Sequence, residues 1–362
     1  MYGTADETSS SRVVGRALFI CGSLNQTRQM HAVARALPEL QPAFSPYYGD
    51  GMVERMRRLG LCERTIIGLR WRKECLRYLR RNGLTIDREG RRLAAEYQLV
   101  VTCTDVFMPG NIRDKPVVVV QEGITDPERF WYHLRKVFPF VPRWLAGTAY
   151  TATSGLYDRF CAASEGYRDH FIARGAPADK VVVTGVPNFD DCARYFTNDF
   201  PLRDYVLVCT SDTRETFKLD NRKRFIRRAV EIAAARGLPL VFKLHPNEDW
   251  ARSTAEIARH APGAQVFTSG SAEEMVANCR VLMCQYSTLA FVGMALGKEV
   301  HSYFPDEQLR RLLPRQGGGA AERIADVCRE LLQSRAGARR AARTTRDIDL
   351  ARAFATAAGS PP

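Results

Sequence analysis

The strongest constraint on this chain is a recurring pattern. Short apolar runs rich in β-branched residues each end abruptly in small polar or ionisable residues, with stretches of helical character between most of them. The runs fall at 16–23, 98–105, 116–123, 159–164 and 181–187. After a Pro- and Asp-containing connection near 198–204 they resume at 205–211, 238–246, 264–268, 281–287 and 299–304. Near-continuous apolar strands alternating with helices predict an α/β fold of parallel βαβ units. The restart near residue 200 predicts two lobes, 16–199 and 200–345, flanked by a disordered leader over 1–15 and a mobile tail over 346–362. A chain of 362 residues has room for two cores.

No apolar run reaches the roughly 18 residues needed to span a bilayer, and the N-terminus lacks the basic-then-apolar order of a secretory signal. The ten cysteines contain no C-x-x-C pair, and several lie inside strand runs such as LFICGS and YVLVCTS. That usage predicts buried free thiols in a reducing, cytoplasmic setting rather than disulfides or zinc. The six histidines show no ligand spacing, so no metal or other cofactor is expected.

The net charge of +13 is concentrated at 55–92 and 335–352. In the first block Trp71, Cys75, Tyr78 and Leu79 recur at helical spacing among arginines and lysines. Such a helix either lies on an anionic surface, as peripheral contact at the inner face of a membrane, or turns its apolar stripe inward. No helix-turn-helix, RNA-recognition or zinc-finger pattern accompanies the charge, and nucleic acid is not expected as a partner.

In open parallel sheets ligands bind at the carboxyl edge of the strands, so the residues that end the runs are the candidates. Gly22 and Ser23 turn the first run into a helix carrying Arg28, a place for an anion or an approaching acceptor, or simple punctuation. Asp105 and Glu122 both end apolar runs. A partly desolvated carboxylate has a raised pKa and can act as a general base, the alternatives being a helix cap and a loop ion pair. In TSDTRETF, Arg214 beside Asp212 and Glu215 is suited to clamp a diphosphate with two parallel hydrogen bonds or to face solvent. His245, followed by Pro246 and Asn247, suits stabilisation of charge on a departing phosphate. Gln285, Tyr286, Ser287 and Thr288 lead directly into a helix near Leu289, the outline of a phosphate cradle.

Taken in order, GSLNQTRQMHAVARAL, VVVQEGITD, ASEGYRDHFIARGAPADKVVVTGVPNFD, TSDTRETF, KLHPNED and STLAFVGMALGKEV resemble the GT-B superfamily over most of 16–304. Within it they are similar to UDP-N-acetylglucosamine 2-epimerases and to related bacterial glycosyltransferases and glycerophosphotransferases. The resemblance implies two Rossmann-like lobes facing a cleft, with the acceptor on the first and a nucleotide-activated donor on the second. The chain also departs from the epimerases. Asp212 stands where they carry His, Thr288 and Leu289 replace a Gly-Gly, and VPRWLAGT replaces an acidic pair.

His245-Pro246, Ser287-Thr288 and Glu122-Gly123 instead resemble motifs of sialyl-, Kdo- and glycerophosphotransferases. The implied activity is metal-independent transfer of a sugar, or a sugar-like phosphate group, from a nucleotide-sugar donor to a glycan or lipid-linked acceptor in bacterial surface-glycan biosynthesis. Glu122 would be the base, His245 the leaving-group stabiliser, and Arg214, Ser287 and Thr288 the phosphate binders. The alternative is an epimerase or hydrolase acting on the nucleotide sugar alone, and a homodimer is compatible with either.

Overall fold

The computed structural model describes residues 15–60, 67–128, 130–215 and 220–338. Its strands are β1 (Gly15–Cys21), β2 (Leu40–Pro46), β3 (Tyr97–Thr102), β4 (Val117–Val120), β5 (Arg159–Ala162) and β6 (Val181–Val183), then β7 (Val206–Cys209), β8 (Leu240–Lys243), β9 (Gln265–Phe267), β10 (Val281–Cys284) and β11 (Glu299–His301). They form two wholly parallel sheets, ordered β2-β1-β3-β4-β5-β6 and β11-β10-β7-β8-β9. Each of the ten apolar runs overlaps one of these strands. The strand absent from the sequence reading is β2, LQPAFSP. Its two prolines break the strand signal, yet among the described residues β1 is the one strand β2 pairs with, its far side meeting only an isolated bridge from Phe44 to Ile86, so the N–H groups missing at Pro42 and Pro46 cost no bond to β1. Gly15, assigned above to the leader, is the first residue of β1; the rest of the leader and the whole tail lie outside the described residues.

The helices are α1 (Leu24–Arg35), α2 (Gly51–Arg58), α3 (Leu69–Arg81), α4 (Phe130–Val137), α5 (Glu165–Ala173), α6 (Arg222–Arg236), α7 (Trp250–His260), α8 (Ala272–Asn278), α9 (Leu289–Ala295) and α10 (Asp306–Leu312). The basic helix α3 resolves the two readings of its apolar stripe. Cys75 and Leu79 are buried in the first lobe's core and the Tyr78 hydroxyl meets His31 Nδ1 at 3.0 Å. The stripe of α3 is therefore turned inward at Cys75 and Leu79. No helix among the described residues is long and apolar enough to cross a membrane.

Strand order sets where ligands can enter. In the first sheet the chain reverses direction between β1 and β3, and in the second between β7 and β10. These are the topological switch points at which parallel sheets open a crevice beyond their strand ends. Among the described residues the chain crosses between lobes twice. The first crossing runs from β6 to β7; the second follows α10 into a helical run at 320–338, which returns to the first lobe although it comes after the second in sequence. There Arg323 Nε donates to Thr184 O at 2.7 Å and Arg329 Nε to Glu39 at 2.7 Å, while Arg335 pairs with Asp158 at 2.7 Å. The crossings are also stitched to each other. Gln316 Nε2 donates to Phe189 O at 2.5 Å, Gly318 N to Asp190 O at 2.7 Å and Ala320 N to the Asp190 carboxylate at 2.8 Å. Gly317, Gly318 and Gly319 have φ of 96°, 73° and 74°, a left-handed path that residues with a Cβ rarely take.

Candidate active site between the lobes

The first wall of the site begins where β1 ends. Ser23 caps α1 with its hydroxyl and forms a reciprocal capping box with Gln26. The close turn depends on Gly22, because a Cβ there would lie 1.8 Å from Gln26 Oε1. With Oε1 held by the Ser23 N–H at 3.2 Å, Gln26 points Nε2 the other way and donates to Glu122 Oε2 at 2.5 Å. The Ser23 hydroxyl adds a bond to Glu122 Oε1 at 3.4 Å. Glu122 follows β4 and stands in an interlobe cavity of about 300 Å³, with Asp126 on the same side and Tyr286, Thr288 and Phe304 opposite. It is half-buried, keeping one edge open to the cavity. Burial raises its pKa above the ordinary carboxylate value; the bonds from Gln26 and Ser23 pull it back down and the charge of Asp126 adds an upward push. Gly123 brings the lobes together beside this carboxylate, since a Cβ there would sit 2.6 Å from Thr288 Cγ2.

Asp105, the other carboxylate singled out by sequence, is turned away from the cavity. It is 1% exposed and accepts hydrogen bonds from Ala152 N at 2.8 Å and Ser154 N at 2.9 Å, with Arg143 at 3.4 Å. It holds the turn at Ala152, whose φ of 68° is unfavourable for a residue with a Cβ. That turn carries Thr151, which does line the cavity. Arg28 is exposed on α1 and is not among the cavity-lining residues.

The second wall lies at the strand ends of the other lobe. Tyr286 lines the cavity and packs edge-on against Tyr303 at 5.5 Å and Phe304 at 5.0 Å. The Ser287 hydroxyl accepts from Leu289 N at 3.3 Å, and Thr288 is the first flanking residue of α9. The helix behind this cradle spans only seven residues; Thr288 lines the cavity and Ser287 does not, and the N–H groups of Leu289, Ala290 and Phe291 bond back to Ser287 and Thr288. His245, Asp212 and Asn247 form a separate group beyond β8. Asn247 N donates to His245 Nδ1 at 3.2 Å, Asn247 Nδ2 donates to Asp212 at 2.9 Å, and the Asp212 carboxylate is 3.8 Å from the same ring nitrogen. An accepting Nδ1 leaves Nε2 as the N–H donor, whereas a protonated ring pairs with Asp212. Pro246 fixes the chain between His245 and Asn247.

Arg214 is not brought to the cavity. Its two terminal nitrogens grip Glu256 on α7 at 2.8 and 2.9 Å, and that partner raises its pKa. Glu215 is likewise engaged, with Arg252 and the Asp249 N–H. The guanidinium that does serve this edge is Arg222, which the sequence reading passed over. It lies 3.1 Å from Asp220, 3.3 Å from Glu248 and 3.0 Å from Ser211 O, and the side chains of both acids are fully buried. Gln285 Nε2 donates to Asp220 at 2.8 Å, and the Ser211 hydroxyl donates to Gln285 Oε1, so the network ties the end of β7 to the end of β10 across the switch point. Glu248 lies within KLHPNED, but Arg222 sits in NRKRF among other cations, where nothing in the sequence marks it. Asp126, which closes VVVQEGITD, also lines the cavity, and its place beyond the apolar run gives no local signal of that.

No protein-family model and no curated protein matches this sequence. Solved structures do resemble it. The wall teichoic acid polymerase TagF aligns with a TM-score of 0.52 at 10% identity over 88% of this chain and 89% of its own. A UDP-N-acetylglucosamine 2-epimerase aligns at 0.51 and 12% over 85% and 94%. The UDP-GlcNAc 2-epimerase from Neisseria meningitidis, bound to UDP-GlcNAc, aligns at 0.50 and 13% over 88% and 91%. At such identities the likeness lies in the course of the backbone, and with two parallel sheets facing a shared cavity it shows that this chain has the GT-B fold.

Proposed function

We propose that this protein is a glycosyltransferase that moves a sugar, or a sugar-like phosphate group, from a nucleotide-activated donor to an acceptor hydroxyl without a metal. The observation that carries the reading is Glu122: a carboxylate of raised pKa, oriented by Gln26 and Ser23, facing Thr288 and Tyr286 across the interlobe cavity. For sugar transfer, Glu122 takes the proton of the acceptor hydroxyl as its oxygen bonds to the anomeric carbon. The bond from that carbon to the donor phosphate breaks, and the nucleotide leaves with the electron pair. Hydroxyls of Ser287 and Thr288 meet the phosphate, and His245 offers its Nε2 proton to the developing charge. Asp212 and Asn247 act as positioning residues for that ring. Tyr286 presents an exposed ring on which a base or sugar can stack.

Replacing His245 with Ala should leave the melting temperature unchanged and remove most turnover; unchanged kinetics would sink its role. A thermal-shift panel of UDP, CDP, CMP, GDP and dTDP identifies the nucleotide, because a ligand that binds only the native state raises the melting temperature. The second reading, an epimerase or hydrolase, gains support from Asp126, a second carboxylate on the same wall as Glu122. Donor incubated with no acceptor separates the two: intact donor supports transfer, whereas rapid epimerised product or free sugar supports the alternative.

A further inference from the structure

Five of the thirteen exposed large hydrophobic side chains among the described residues fall within 130–140: Phe130, Trp131, Val137, Phe138 and Phe140, the last 82% exposed. Scattered apolar residues are ordinary on a surface, but a cluster of this density marks a contact. The rings stand in pairs, Phe130 with Trp131 at 5.4 Å between centroids and Phe138 with Phe140 at 5.7 Å. Helix α4 is pinned by its other face. Tyr132 is buried against Tyr150 at 5.0 Å and covered by the Arg174 guanidinium at 5.4 Å, and Arg135 Nη1 donates to Val141 O at 2.8 Å. The exposed rings therefore project from a fixed base.

Charge selects the occupant. His133, Arg135 and Lys136 accompany the rings, and the nearest acid in sequence, Glu128, is paired with Arg174 at 2.9 Å. A second copy of a chain carrying +13 would meet this face with like charge, whereas an anionic lipid surface offers both an apolar layer and negative headgroups. The segment is also continuous with the cavity wall: Thr148 donates to Asp126 at 2.9 Å, both residues line the cavity, and Tyr150 carries the stack onto Tyr132.

We propose that residues 130–140 form a docking surface for an anionic lipid bilayer, with Phe130, Trp131, Phe138 and Phe140 entering the acyl boundary and Lys136 meeting lipid phosphate. Docking there sets the interlobe cavity beside the membrane. It does not depend on the transfer reaction, which can be assayed separately on soluble substrates.

The test is co-sedimentation of the full chain with phosphatidylcholine vesicles, with and without phosphatidylglycerol. The chain should partition onto the anionic vesicles and less onto the neutral ones. The double variant Phe138→Ser, Phe140→Ser should lose about tenfold or more in partitioning, since each removes a buried aromatic anchor, while its melting temperature stays unchanged. Lys136→Glu should lose less, and brominated lipid should quench fluorescence that a Trp131→Phe variant lacks. Wild-type protein that stays in the supernatant, or partitions equally onto neutral vesicles, overturns the proposal. So does an aromatic double variant that partitions like wild type, or vesicle binding that an Arg80→Glu, Arg91→Glu variant abolishes while the aromatic variant retains it. A dimer in sedimentation velocity that the aromatic variant disperses, without vesicle binding, would assign the face to self-association instead.

Discussion

The two lobes supply the same cavity by different means. The first presents Glu122 through neutral neighbours: a glutamine amide and a serine hydroxyl, both set by the start of α1. The second sets its hydroxyl-rich edge on buried charges, with Arg222 between Asp220 and Glu248 and Gln285 relaying the network upward. A carboxylate held by neutral donors stays able to change protonation state, which base catalysis needs. A guanidinium sealed between two acids serves instead to hold two strand ends in register. The contrast predicts that substitutions in the first lobe alter rates at near-constant stability, whereas those in the second lobe's network alter stability first.

The largest effect should come from Glu122→Gln, which keeps shape and removes the proposed base. Turnover should fall by about 10²–10⁴; a loss smaller than tenfold would break the assignment. Stability should move the other way. Because the folded carboxyl binds its proton more tightly than the unfolded one, native stability declines as pH rises from the unfolded carboxylate value through the raised folded one. The glutamine variant lacks this loss and should melt no lower than wild type at neutral pH. Next is Arg222→Met, which strands two buried acids and should cost about 3–5 kcal/mol in urea unfolding. A variant as stable as wild type would remove the contrast between the lobes.

Gly123→Ala tests the seam between them. Its new methyl meets Thr288 Cγ2, and the strain should cost about 1–3 kcal/mol. Adding Thr288→Ser removes that methyl partner and should restore most of the stability; no recovery would place the strain elsewhere. The smallest effect is a shift of pH profile in Gln26→Leu. Loss of its hydrogen bond should raise the Glu122 pKa further and move the acid limb of kcat/KM to higher pH, with plateau turnover little changed. An acid limb that stays in place would mean that another group is being titrated.

Strands buried on both faces announce themselves, and so the two sheets and the strand-end positions of Glu122, His245 and Ser287 were legible in the sequence. The edge strand β2 was not, because prolines at 42 and 46 erase the local pattern that only its pairing with β1 restores. The site was legible by residue type and illegible by direction. Asp105 and Glu122 end similar apolar runs, yet one carboxylate turns onto the N–H groups of Ala152 and Ser154 while the other faces the cavity. Arg214 and Arg222 differ in the same way: each has the chemistry of a clamp, and what decides is which acid the fold carries to it, Glu256 from α7 or Asp220 and Glu248 at the switch point. Long-range partners of this kind leave no trace in local spacing.

The glycine run at 317–319 has a mechanical meaning. Two chain crossings bonded side by side, through Asp190 and Gln316, join the lobes by a double connection rather than a single tether. A single tether would let one lobe swivel about any axis. A double one favours opening and closing like a book, with the spine along the paired crossings and the page edges at Gly123 and Thr288. Motion confined to that axis would return Glu122 to the same place opposite the second lobe at every closure, so the placement of the proposed base would be set partly by a glycine run that is not among the cavity-lining residues.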